Sequence, residues 1–182
     1  MPGITVAVLT NAGGAHLEAY LSGLFVTEEV ESVVLADPSG ASEGAARKVL
    51  GAKLKRFERE HAKALAEDKP AMALVTMEAV QAPPVIQLAL EANCHVLAEK
   101  PACVRVEDFL ALVRLADMKH RHLTLALANR LLGTVQQAKK LIRDDQIGKF
   151  YGCDLHIIAD QTRLKSPAYH QSWFADRARS GG

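Results

Sequence analysis

The sequence predicts an α/β fold: a doubly wound parallel sheet, followed after about residue 130 by the start of an α+β second domain. Three observations predict it. Short runs rich in β-branched residues alternate with helical stretches of about ten residues, the pattern of crossover units in a parallel sheet. The run at 71–77 (AMALVTM) has no polar alternation, as a strand buried on both faces requires. Turn sequences, such as Asp37-Pro38-Ser39-Gly40, separate the runs.

Residues 4–9 (ITVAVL) form the first expected strand. Leu17, Tyr20, Leu21 and Leu24 then recur at the spacing of an amphipathic helix stripe. Residues 30–36 (VESVVLA) are a second strand, and 42–50 a helix that Gly51 suits as a C-terminal cap. A short third strand at 54–57 precedes a charged helix at about 58–67. After the buried strand at 71–77, Pro83 and Pro84 fit the first turn of a helix reaching about Ala92. Residues 95–99 are the fifth strand. Val106, Phe109, Leu110 and Val113 mark another helix, and 123–128 (LTLALA) a further strand. Val135, Ala138 and Ile142 continue on a helix ending near Gly148, and 150–159 is strand-like. The stretch 160–182 has charges, aromatics and small residues without periodicity, and reads as a long functional loop. The expected domains are 1–130 and 131–182, the second one incomplete.

Bulk composition narrows the function classes. The chain has 182 residues, 49% hydrophobic and 24% charged, with a net charge of +1. That balance offers neither a nucleic-acid surface nor an anionic-membrane binder. No apolar run approaches the roughly 18 to 20 residues needed to span a bilayer. The N-terminus reads directly as a strand without a basic leader. The three cysteines, Cys94, Cys103 and Cys153, match no zinc spacing and make no disulfide framework, so no metal site is expected. Reduced thiols in a cytoplasmic protein are the expectation.

In a doubly wound sheet, ligands sit at the carboxyl ends of the strands. That places residues 10–14, Asp37, 76–78, 99–101 and 129–130 near a cleft. The first turn, Thr10-Asn11-Ala12-Gly13-Gly14, stands where a dinucleotide fold carries G-x-G-x-x-G, whose glycines let the backbone approach a pyrophosphate. Without a gap, only Gly13 falls on a glycine position; with a short deletion, Gly13 and Gly14 form a compact turn. An ordinary glycine turn reads equally well. Asp37, 24 residues after Gly13, has two readings. It can accept from the ribose hydroxyls of NAD and disfavour NADP, or it can form the turn before Pro38. Glu99-Lys100-Pro101 is either a solvated ion pair at a strand end or a site. In the second reading Lys100 holds a substrate oxygen through a charge-assisted hydrogen bond, on a backbone fixed by Pro101 through a cis bond.

The run 73–101, ALVTMEAVQAPPVIQLALEANCHVLAEKP, resembles the glucose–fructose oxidoreductase, inositol dehydrogenase and rhizopine-catabolism (Gfo/Idh/MocA) family. Thr76, the helix ending in Ala92-Asn93-Cys94-His95-Val96, and Glu99-Lys100-Pro101 match its pattern. Ile147-Gly148, Trp173 with Asp176, and Ser180-Gly181-Gly182 resemble its later motifs. The resemblance implies a Rossmann-like domain using NAD, with NADP less favoured. Lys100 would be catalytic. Asn11, Gly13, Gly14, Asp37, Thr76, Glu99 and Pro101 would lie on the cofactor side, and Pro101 would correspond to the family's cis-proline. Arg130 and Trp173 would face the substrate. The partners implied are a small-molecule sugar or polyol and other copies of the chain, through the second domain.

The departures are also specific. Met77 and Glu78 stand for the family's Pro and Asn, and Gln81 for its His. The family's Asp and His acid–base pair would follow Gly182, so the chain is expected to be a piece of a longer protein. His16 and His95 read as structural, and His156 and His170 do not occupy the acid–base position. Three functions follow: hydride transfer to or from a sugar, polyol or related hydroxyl compound; NAD-assisted glycoside cleavage; or a non-catalytic ligand-binding protein. The last is motivated by Thr10, whose side chain stands where a glycine would let a pyrophosphate approach.

Overall fold

The computed structural model describes residues 3–12, 14–154, 156, 158 and 160–181. Six strands form one parallel sheet: β1 (Ile4–Thr10), β2 (Val30–Ala36), β3 (Leu54–Glu58), β4 (Met72–Thr76), β5 (His95–Ala98) and β6 (Leu123–Leu125). Their spatial order is β3-β2-β1-β4-β5-β6. The chain winds outward from β1 in one direction and then crosses back to β4, so the topological switch point lies between β1 and β4. Thr10 and Thr76 are register partners at that point.

Helices α1 (Leu17–Val26), α2 (Glu43–Leu50), α3 (His61–Asp68), α4 (Ala82–Glu91) and α5 (Val106–Met118) connect the strands. They cover both faces, which is why β1 reads as an unbroken apolar run. Val6 and Val8 pack with Leu21 of α1 and Leu50 of α2. Ala7 and Leu9, pointing the other way, pack with Leu65 of α3, Ile86 of α4 and Leu112 of α5. Each fully buried Leu, Ile or Val contributes roughly 1.5–3 kcal/mol. Pro83 and Pro84 open α4 where their missing N–H groups are not needed. Gly51 ends α2 with φ 52°, a conformation glycine adopts without strain.

The expected elements shift at several places. The charged helix starts later, because β3 continues to Glu58. The strand at 123–128 is shorter. Ala126 N still donates to Ala98 O at 2.9 Å, but Leu127 N turns back to Leu125 O at 2.8 Å and a 3-10 turn follows at Ala128–Leu131. Helix α6 is Gly133–Arg143. The strand expected at 150–159 is absent among the described residues of that stretch, and 155, 157 and 159 lie outside them. A strand forms by pairing with another strand. Here Phe150, Tyr151 and Ile158 are exposed, and no described residue of the stretch pairs with the edge strands β3 or β6.

The stretch after 160 is also not a plain loop. It folds into 3-10 turns at Thr162–Lys165 and Trp173–Ala175 and short helices α7 (Pro167–Gln171) and α8 (Arg177–Ser180). The Ser166 side chain caps α7 by accepting from Tyr169 N, and Asp176 caps α8 by accepting from Ala178 N. No helix among the described residues is long and apolar enough to cross a membrane.

Candidate active site

The first turn is laced to its neighbouring strand. Thr10 Oγ1 donates to Thr76 O at 2.7 Å, and Thr76 Oγ1 donates to Ala15 O at 2.5 Å. Gly14 N closes the turn on Asn11 O at 3.0 Å. A Cβ on Gly14 would stand 2.2 Å from Thr10 Oγ1 and 2.7 Å from Thr76 O, so the lacing itself demands glycine there. Gly13 lies outside the described residues. Both threonines are fully buried. The Thr10 side chain therefore sits under the turn, which removes the motive for a non-catalytic reading. The Thr76 hydroxyl is committed to the turn, so the residue shapes the turn from beneath.

Asp37 organises its own loop. Its side chain is buried. Oδ1 accepts from Ser39 N (2.9 Å) and Ser39 Oγ (2.7 Å), and Oδ2 accepts from Ser42 N (3.0 Å) and Ser42 Oγ (2.7 Å). Four donors meet the two oxygens, so the carboxylate holds together the loop into α2. Burial pushes its pKa up, but the hydrogen bonds from Ser42 and Ser39 outweigh this and hold it below the usual carboxylate range.

Glu99 and Lys100 stand at the carboxyl end of β5. Glu99 N extends the ladder by donating to Val75 O at 2.8 Å, which fixes the residue over the sheet. The Glu99 side chain is 4% exposed. Tyr20 on α1 donates its hydroxyl to Glu99 Oε2. The other oxygen, Oε1, is buried without a hydrogen-bond partner among the described residues, and the Lys100 ammonium stands 3.7 Å from it. That distance is an ion pair but not a hydrogen bond. Burial, then the hydrogen bond and charge of Glu99, push the Tyr20 phenol well above its usual range. The Lys100–Pro101 peptide bond is cis, as expected. These residues open onto a cleft of about 490 Å³, whose wall also includes His16, Asn129 and Arg130. Arg130 thus shares a cavity with Lys100. Trp173 does not belong to that wall: it is buried and stacks on Phe174, with ring centroids 3.9 Å apart.

A polar chain runs across the switch point. Asn11 Nδ2 donates to Gln81 Oε1, Gln81 Nε2 donates to Glu78 Oε2 at 3.4 Å, and Arg179 holds Glu78 through Nε (3.0 Å) and Nη2. Glu78 was legible as a residue at a strand end, but Tyr20 and Arg179 were not legible as site residues. Tyr20 reads as part of a helix stripe, and no sequence signal joins charges 101 residues apart.

The surroundings fit an elongated two-ended ligand. Cavities of about 570 and 620 Å³ flank the first turn, sharing Asn11 and Ala12; the first reaches Asp37 and Ser42, the second Ser39 and His61. His16 lines both the first of these and the Lys100 cleft. The track thus runs from the end of β2 past the glycine turn to the end of β5, where the orphaned Glu99 Oε1 awaits a donor. This is the layout of a dinucleotide-binding domain.

The family model for the oxidoreductase family with an NAD-binding Rossmann fold matches residues 8–127. The chain belongs to this family, Gfo/Idh/MocA. Its fold is similar to that of scyllo-inositol dehydrogenase from Lactobacillus casei, crystallised with NAD(H) and scyllo-inositol (17% identity, TM-score 0.69, 80% of this chain and 42% of that one). It is also similar to myo-inositol 2-dehydrogenase from Lactobacillus plantarum (15%, 0.68, 81% and 43%). A third similar structure is the WlbA dehydrogenase from Bordetella pertussis, in complex with NADH and UDP-GlcNAcA (22%, 0.69, 82% and 44%). At these identities the likeness is one of fold, and the chain spans less than half the length of each structure. No curated protein matches the chain.

Proposed function

We propose that the chain is the cofactor-binding part of an oxidoreductase that transfers a hydride between nicotinamide and a hydroxyl-bearing carbon of a sugar or polyol. The observation that carries this is Lys100, on a cis peptide bond at the end of β5, beside a buried carboxylate with an open acceptor. NAD(H) is the cofactor favoured by the family's description, with NADP(H) less favoured. When bound, it would supply the hydride acceptor or donor.

The chain's own residues bind and orient. Asn11 and Gly14 belong to the turn over which the pyrophosphate would pass, and Gly13 is proposed to bind with them. Glu99 Oε1 would accept from a donor on the nicotinamide side. Lys100 and Arg130, both exposed cations of one cleft, would hold a substrate oxygen. Ligands named for two of the similar structures, scyllo-inositol and UDP-GlcNAcA, support a polyhydroxylated substrate. We place this activity in a soluble, cytoplasmic homo-oligomer whose second domain begins near residue 131.

Titration with NADH, followed by its fluorescence, tests the reading. The wild-type chain is expected to bind with a Kd below about 1 mM. Absence of dinucleotide binding at millimolar concentration would overturn it.

A further inference from the structure

We propose that His16 binds the ligand directly: its imidazole donates to an oxygen of the nicotinamide-side phosphate or ribose, where the dinucleotide crosses from the first turn into the Lys100 cleft. This rests on the reading of the chain as a dinucleotide-binding part, and it departs from the structural role expected of His16.

Two cavities meet at the start of α1. The cavity beside the first turn, about 570 Å³, and the Lys100 cleft, about 490 Å³, share two residues, His16 and Ala19. Three positions apart, these two lie on one face of the helix and form the saddle between the cavities. A ligand that occupies both has to cross it. Ala19 has no polar side-chain atom, so polar recognition by a side chain at the saddle falls to His16.

The hydrogen-bond accounts on either side agree. Three residues lining the first-turn cavity carry side-chain donors: Asn11, His16 and Ser42. Asn11 donates to Gln81, and the Ser42 hydroxyl donates to Asp37 at 2.7 Å. Among the described residues, the imidazole is the one with no such bond to give up. Across the saddle, Glu99 is 4% exposed and its Oε1 has no hydrogen-bond partner among the described residues. A buried acceptor in that state calls for an occupant of the cleft.

The backbone presents the ring at the saddle. His16 has φ 58° and ψ 16°, the left-handed region that residues other than glycine adopt uncommonly. Both flanks are pinned: Ala15 O accepts from Thr76 Oγ1 at 2.5 Å, and His16 O accepts from Tyr20 N at 3.1 Å. Glycine would suit this conformation better. His16 stands at the N-cap of α1, yet its side chain caps no N–H, so capping does not explain the residue.

His16→Gly separates a binding role from a structural one, because the two predict opposite results. Glycine relieves the left-handed backbone, so the midpoint of thermal unfolding is expected to equal or exceed that of the wild type. Calorimetric titration of the intact 182-residue chain is expected to show NADH and ADP-ribose, which share the second phosphate and ribose, each bound about fivefold more weakly. Unchanged affinity for either ligand overturns the proposal, as does weaker binding accompanied by a lowered midpoint. Should His16→Gly not fold, carbethoxylation of wild-type His16 by diethyl pyrocarbonate decides, with the exposed His170 as internal reference. ADP-ribose at ten times its Kd is expected to slow the reaction at His16 by about tenfold and to leave His170 unaffected. Absence of protection overturns the proposal.

The wild-type titration reads the parent reading separately. No NADH binding by the wild type removes that reading and the His16 role together. Wild-type binding that His16→Gly leaves unchanged removes the His16 role alone.

Discussion

Arg179 grips Glu78 with two guanidinium nitrogens, Nε at 3.0 Å and Nη2, across 101 residues of sequence. Glu78 is 6% exposed and sits in the loop after β4, at the switch point of the sheet. The fork therefore fastens the last described helix, α8, to the rim of the dinucleotide track. The Glu78 contact raises the pKa of Arg179 further, so the guanidinium keeps its charge.

Cutting this fork should release the segment that carries Trp173. Arg179→Ala leaves the Glu78 carboxylate without its strongest donor, and limited proteolysis within 160–181 is expected to accelerate by about tenfold. Trp173, the single tryptophan, is buried, so its emission should shift to the red in the same variant. Unchanged proteolysis and emission would show that other contacts hold the segment.

Asp37 predicts a loss of stability and a particular pH dependence. Asp37→Asn removes acceptor capacity from a buried site with four donors, and is expected to cost about 2–3 kcal/mol by urea denaturation at pH 7. The folded pKa is depressed below the unfolded value of about 3.9. The carboxylate's contribution is therefore present above that value and is lost as pH falls through the folded pKa. The stability gap between wild type and Asp37→Asn should be full at pH 7 and close in strong acid. A gap independent of pH would contradict the assigned hydrogen bonds.

Gly14→Ala should destabilise the fold even without a ligand. Its Cβ meets Thr10 Oγ1 and the backbone oxygen of Thr76, and overpacking of this kind costs about 1–3 kcal/mol. Adding Thr10→Ala relieves the first clash but not the second. The double variant is expected to recover only part of the loss in thermal unfolding.

The cysteines should separate kinetically. Burial pushes the Cys94 thiol up to about 11, and the Arg121 charge only partly opposes this. Cys94 also donates to Pro70 O at 3.2 Å, whereas Cys153 is exposed. At pH 8, a thiol reagent should modify Cys153 rapidly and Cys94 only on unfolding. Fast modification of all three in the native protein would contradict this burial.

The legible part of the fold is the part whose residues are bound by local periodicity. The apolar run of β1 follows from burial on both faces, and the helix stripe at Leu17, Tyr20 and Leu21 from the 3.6-residue repeat. Placing Lys100 at the mouth of a cleft needed only the parallel-sheet rule. The directions of side chains were not legible. Asp37 was correctly singled out, but whether its carboxylate faces a ligand or its own loop depends on Ser39 and Ser42 closing around it. Thr10 looks like damage to a glycine motif until Thr76 is placed beside it by strand register. The run at 150–159 has strand composition, yet pairing decides a strand, and composition says nothing about a partner.

The threonine lacing beneath the first turn has an energetic consequence for ligand capture. Because Thr10, Thr76, Gly14 and Ala15 are already fastened to one another, the platform at the switch point is ordered during folding and not during association. An incoming ligand then surrenders its own freedom without also having to freeze the loop beneath it. Preorganisation of this kind converts stability spent in the core of the sheet into affinity at its edge.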